Sequence, residues 1–233
     1  MIRNIIFLLV FYFGFIFILI LFIPCLILPQ YIITQGGKFL GYWTRFCLKY
    51  IMSTKVEVKG KENIINNQKY FVVCSHQSIF ETFFLQTLFE NSVFILKKEL
   101  IKIPLFGLYL KKMGCISIDR NKISKENLNF SDEVSKLIKN TNKTLIIFPQ
   151  GTRKSLNDRS AFKKGFARIY NDLKIACLPI AINSGKVWPK NGKLIPNQQI
   201  TVSILNILPP GMEQNKLATE VEQIIYKELN KIS

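Results

Sequence analysis

The sequence predicts an α/β domain with a mostly parallel sheet flanked by helices, preceded by an N-terminal hydrophobic membrane helix or helix pair. Three observations predict it. From residue 55 onward, short β-branched or aromatic runs alternate with helix-like stretches, the pattern of strands joined through helices. Ile5 to Leu28 contains no charged residue. The 233 residues are 48% hydrophobic and 20% charged, which allows one sizeable core and excludes both a disordered chain and a multi-span transporter.

The N-terminal run is long enough to cross a bilayer, which takes about 20 apolar residues. A cleaved signal peptide fits poorly, because the run is too long and no A-x-A-like site follows. After Pro24 and Pro29 the chain stays uncharged until Lys38. It then turns amphipathic, with Phe39, Tyr42, Trp43 and Phe46 interleaved with Lys38, Arg45 and Lys49, a mixture suited to the headgroup layer. Two arrangements fit: a true span, or a prolyl-broken helix pair dipping into one leaflet. Arg3 precedes the run and Lys38, Arg45, Lys49 and Lys55 follow it, so the positive-inside bias predicts an inner-membrane protein with its folded domain in the cytoplasm.

The strand-like runs are Lys55–Val58, Tyr70–Cys74, Val93–Leu96, Cys115–Ile118, Thr144–Phe148, Ile175–Ile182 and Ile200–Ile207. Helix-like stretches are Ile79–Phe89, Lys125–Lys139, Ala161–Leu173 and Lys216–Lys231. Asn183 to Gln199, with Pro189, Gly192 and Pro196, predicts a surface loop between the last two strands. Leu178-Pro179-Ile180 interrupts a strand and predicts an edge or a bulge.

The formal net charge is +17, from 32 Lys+Arg against 15 Asp+Glu. So basic a chain favours an anionic partner: nucleic acid, an anionic membrane or a phosphorylated substrate. The 5 cysteines are scattered and form no C-x-x-C pair, which argues against disulfides and a zinc site.

His76 is the one histidine and directly follows the run Tyr70–Cys74. Strand ends are where ligands and catalytic groups gather in α/β sheets. Glu81 follows five residues on, at the start of the next helix, which Ser75 or Ser78 could cap. A carboxylate there can orient the ring and stabilise its protonated form, leaving the other nitrogen as general base. Such spacings also arise by chance, so the pair alone decides little. Phe148-Pro149-Gln150-Gly151-Thr152-Arg153 follows the strand at Thr144. It puts N–H groups, a hydroxyl and a guanidinium at one sheet edge, suited to a phosphate or an oxyanion. The bland alternative is an ordinary turn ending in a solvated Arg. Arg120 lies just past another strand and suits the same anion, unless it merely pairs with a neighbour.

Together these residues resemble the glycerophospholipid acyltransferase family. That family carries N/S-H-x4-D, K-x-E-L…P…G…I-D-R, F-P-E-G-T-R and a later V-P-I/V-like block. Here they stand in order as Ser75-His76-x4-Glu81, Lys97-x-Glu99-Leu100 through Asp119-Arg120, Phe148 through Arg153, and Leu178-Pro179-Ile180. Four ordered blocks are far more specific than any one of them. The resemblance implies that residues 53–233 form the acyltransferase domain, that 1–52 are its membrane anchor, and that the reaction uses no metal and no cofactor. His76 and Glu81 would be the catalytic pair. Arg120, Gly151, Thr152 and Arg153 would hold the substrate phosphate, supported by Ser75, Lys98, Glu99, Gln150 and Pro179. The co-substrate would be acyl-CoA or an acyl carrier protein thioester. The acceptor would be 1-acyl-glycerol-3-phosphate (lysophosphatidic acid) at a phospholipid membrane. Two residues depart from the pattern. Glu81 replaces Asp, so the helix should stand slightly farther from His76, and Gln150 replaces Glu, which loses a charge. Gln150 leaves other acceptors open, such as glycerol-3-phosphate, another lysophospholipid or an acylated amino lipid. A non-catalytic, basic, membrane-tethered binding protein is the alternative from another class. No nucleic-acid motif accompanies the charge, so the sequence implies no nucleic-acid partner.

Overall fold

A computed structural model describes residues 1–65, 68–118, 130–139 and 141–233. The apolar N-terminal run forms α1 (Ile2–Leu21), then a 3₁₀ turn (Ile23–Leu26), then α2 (Gln30–Tyr50). Pro24 lies in the turn and Pro29 caps α2. A proline cannot extend the preceding helix but is suited to begin the next one, so the break falls between them. The two helices pack closely. A Cβ on Gly14 would lie 2.2 Å from the Trp43 ring, and Trp43 Nε1 donates to the Phe11 carbonyl at 3.2 Å. Only glycine admits the indole there.

The strands are β1 (Lys55–Lys59), β2 (Tyr70–Cys74), β3 (Ser92–Lys97), β4 (Ile116–Ile118), β5 (Thr144–Ile147), β6 (Ala176–Ile182) and β7 (Gln199–Ile204). They lie in the order β1-β7-β6-β2-β5-β3-β4. Every neighbouring pair is parallel except β6–β7. That exception follows from the connection, because residues 183–198 return directly without a crossover helix, as the predicted loop requires. The mostly parallel α/β expectation therefore holds.

Pro179 sits inside β6, a central strand flanked by β7 and β2. The bulge expectation explains how. Cys177 bridges Leu208 and Ile180 pairs with Ile204, so the returning segment carries one residue more than β6 over the same stretch. The ladder is already interrupted where the proline lacks its N–H.

The helices between strands are α3 (Phe80–Phe84), α4 (Phe106–Met113), α5 (Phe130–Lys139), α6 (Gly165–Leu173) and α7 (Gln214–Ile232). The stretch Ile79–Phe89, expected as one helix, is α3 followed by a 3₁₀ turn, Leu85–Thr87. The sheet is covered on both faces. Val72, Cys74, Ile146 and Leu178 pack with Phe7, Phe11, Leu40 and Leu48 of α1 and α2. Phe71, Val73, Leu145 and Ile147 pack with Phe166 and Tyr170 of α6 and Val221 and Ile225 of α7. Burial on both faces is why β2 reads as a continuous apolar run rather than an alternation.

Glu213 begins α7 by accepting from the backbone N–H of Asn215 and of Lys216, each at 2.9 Å. Those bonds hold its carboxyl below the usual glutamate range. A depressed folded-state value gives stability above the unfolded-state value that is lost as pH falls. Glu213→Gln should therefore lower the melting temperature at about pH 7, with the difference closing toward about pH 3, as followed by circular dichroism.

Candidate active site

Three adjacent strands deliver the site. β2 lies between β5 and β6, so the segments that leave their carboxyl ends meet. At the end of β2, Ser75 Oγ accepts from Ile182 N–H at 2.9 Å and donates to Ile182 C=O, joining the exits of β2 and β6. The His76 backbone is held from the β5 side. Its N–H donates to Gln150 Oε1 at 2.6 Å, and its carbonyl accepts from Lys154 N–H at 2.8 Å. The imidazole stacks on Phe148, with centroids 4.2 Å apart and planes 19° from parallel. Backbone and ring are thus fixed from two sides.

Glu81 is fully buried. Its carboxylate accepts from the N–H of Gln77 at 3.1 Å and of Ser78, and from the Ser184 hydroxyl. A buried charge is costly unless donors surround it, and these three do so. Oε2 lies 3.6 Å from His76 Nδ1. Nδ1 itself is buried and, among the described residues, has no hydrogen-bond partner. The glutamate carboxylate folds back onto the N–H groups of Gln77 and Ser78, just ahead of its own helix. A shift of roughly half an ångström would bring the pair within hydrogen-bond range.

A cavity of about 400 Å³ opens beside His76. Its walls are mostly apolar, with Ile18 and Leu19 from α1, Ile33 and Leu40 from α2, and Phe106 and Met113 from α4. Lys97, Thr152, Arg153 and Lys190 line it together with His76. Gly151 turns the chain there with φ +71°, and its Cα faces the side chain of Lys163. Any other residue would be strained at that dihedral. An imidazole, three cationic side chains and mostly apolar walls therefore share one cavity. That combination suits a molecule with a phosphate at one end and a hydrocarbon chain at the other.

The structure brings together most of the residues expected from the sequence. His76 and Glu81 face each other, and Thr152 and Arg153 stand at the same opening. Gln150 holds the His76 backbone and is not among the cavity residues, so its role is in the scaffold. Ser75 likewise acts on the scaffold, and Pro179 pairs with Val73 within the sheet. Lys98 and Glu99 lie on an exposed 3₁₀ turn, Lys98–Lys102, while their neighbours Lys97 and Leu100 line the cavity. Arg120 lies outside the described residues. Sequence reasoning missed Ser184 and Lys190. Ser184 just follows the end of β6, so the strand-end rule could have found it, whereas Lys190 carries no local signal.

The family model described as Acyltransferase matches residues 55–183, more than half of the chain. The 1-acyl-sn-glycerol-3-phosphate acyltransferase of Pseudomonas aeruginosa is 33% identical over 153 residues, covering 64% of this chain and 59% of that protein. The enzyme of the same name from Cocos nucifera is 30% identical over 206 residues, covering 87% of this chain and 66% of that one. The chain thus spans about three fifths to two thirds of the length of these relatives. The crystal structure of the 1-acyl-sn-glycerophosphate (LPA) acyltransferase of Thermotoga maritima superposes with a TM-score of 0.76, covering 100% of this chain and 98% of that one at 24% identity. The fold is therefore shared end to end, and the family match includes His76, Glu81 and Arg153. This chain belongs to the acyltransferase family.

Proposed function

We propose that the protein transfers an acyl chain from an acyl thioester to the free hydroxyl of 1-acyl-glycerol-3-phosphate, giving phosphatidic acid. The observation that carries this reading is the shared cavity, which His76 and Arg153 line together with mostly apolar side chains. Glu81 faces Nδ1, which leaves Nε2 for the acceptor. Nε2 takes the hydroxyl proton as the oxygen attacks the thioester carbonyl. The carbon–sulfur bond then breaks, and the imidazolium returns the proton to the departing thiolate. The Glu81 carboxylate offsets the positive charge while the ring is protonated. Arg153 and Thr152 hold the acceptor's phosphate, and the chamber keeps hydrocarbon out of water.

The outer face of α1 exposes Leu9, Phe13, Ile16, Phe17 and Ile20, and α2 exposes Phe39, Tyr42 and Phe46 beside Arg45 and Lys49. We assign this surface to an anionic membrane. The inner face of α1 touches the folded domain near both ends, through Asn4 to Leu194 and through Leu19, whose carbonyl accepts from Tyr109. That docking supports a helix pair dipping into one leaflet over an isolated span. The contact of Gln150 with the His76 backbone supports a scaffold role for it and so favours this acceptor over the alternatives.

Purified full-length protein should form phosphatidic acid from 1-acyl-glycerol-3-phosphate faster than it acylates glycerol-3-phosphate or lysophosphatidylcholine. Offering acyl-CoA and acyl carrier protein in parallel identifies the donor. Absence of product with either donor overturns the reading.

A further inference from the structure

The rim cation that sequence reasoning missed stands on a loop with an unusual support. Lys190 belongs to the 183–198 loop, yet its Nζ donates to Thr152 Oγ1 at 3.2 Å and its side chain lines the cavity with Arg153. Among the described residues it forms no ion pair with a carboxylate. The loop is fastened to α1 on both sides of it. On one side, the Trp188 ring meets Phe7 and Phe11 edge-on, at 5.0 and 5.1 Å. On the other, Asn4 makes a reciprocal pair with Leu194. Its Nδ2 donates to the Leu194 carbonyl at 2.9 Å, and its Oδ1 accepts from the Leu194 N–H at 2.6 Å.

We propose that Lys190 is a second cation for the acceptor's phosphate, and that α1 positions it there through the Trp188 and Asn4 clamps. The proposal rests on the acyl-transfer reading above. A lysine on a free loop samples many positions, and ordering it at the moment of binding costs free energy. Clamping the loop before the ligand arrives removes much of that cost. The ligand is a phosphate monoester, and both acceptor and coenzyme A carry one. Geometry favours the acceptor. Its phosphate sits one carbon from the hydroxyl that must reach His76, whereas the phosphates of coenzyme A lie a long pantetheine arm away from the thioester. An N-terminal membrane helix would then be part of the acceptor site as well as an anchor.

The test is steady-state kinetics on the full chain with each substrate varied in turn. Lys190→Met should raise the KM for 1-acyl-glycerol-3-phosphate about tenfold to a hundredfold, the range that a charge-assisted hydrogen bond commands. The kcat should stay within about twofold, as expected for loss of uniform binding. The KM for acyl-CoA should not move, and Lys190→Arg should restore most of the loss. Asn4→Leu should raise the same KM by a smaller factor, and should add nothing in the Lys190→Met background. An unchanged acceptor KM in Lys190→Met, or a rise confined to acyl-CoA, overturns the assignment. A fall in kcat without a change in KM for Asn4→Leu overturns the clamp. Calorimetric titration of 1-acyl-glycerol-3-phosphate in detergent into wild type and Lys190→Met needs no turnover. Lys190-dependent binding without catalysis would sustain this proposal and sink the activity, whereas catalysis with Lys190-independent binding would do the reverse.

Discussion

Replacing His76 by alanine should lower the rate of phosphatidic acid formation by about a thousandfold or more, within the range that a general base commands and above it where the base works as part of a unit. The fold should survive, because His76 is held mainly through its backbone, by Gln150 Oε1 and by the Lys154 N–H. The stacking on Phe148 and the approach to Glu81 are lost. Glu81 keeps its bonds to Gln77, Ser78 and Ser184, so no charge is stranded. Acyl-transfer rates beside a circular dichroism melt decide the matter. Wild-type turnover in the variant would exclude His76 as the base.

The second large effect is Glu81→Gln. The amide matches the carboxylate in size but brings two N–H donors. With its nitrogen at the Oε1 position it faces the Gln77 and Ser78 N–H groups, donor toward donor; at the Oε2 position it again meets the Ser78 N–H and favours the His76 tautomer protonated on Nε2, which cannot act as the base. The rate should fall by roughly a hundredfold to ten-thousandfold, as when the orienting acid of a catalytic triad becomes an amide. Stability should fall as well, by about 1–3 kcal/mol, because a buried donor is left unpaired. A double variant with His76→Ala should transfer acyl groups no more slowly than His76→Ala alone, since both act on one proton transfer. If the two losses instead multiply, Glu81 acts by some route other than His76.

Much of this site was legible in the chain. His76, Glu81 and Gly151 to Arg153 each lie within a few residues of a buried strand end, so a local pattern announces them. The strands were legible for the same reason, since Tyr70–Cys74 is buried on both faces and carries no polar interruption. Helix α4 was not, because its 8 residues are too few to establish a period, and Gly107 sits inside it. Strand order was not legible either. Nothing local says that β2 lies between β5 and β6, yet that order brings Ser184 onto Glu81. Lys190 is the extreme case. It reaches Thr152 only because a loop without periodicity is fastened to a helix nearly the whole chain away.

The chamber beside His76 takes part of its wall from α1 and α2, the same helices whose outer faces are apolar and exposed. With those outer faces seated in a leaflet, one layer of helix separates the reacting chain from the lipid around the protein. A lipid acceptor would then arrive by lateral diffusion and the lipid product would leave the same way. The acceptor's contribution to the working rate would then be set by its surface density in the leaflet, a two-dimensional variable that diluting a vesicle suspension at fixed lipid composition would leave untouched.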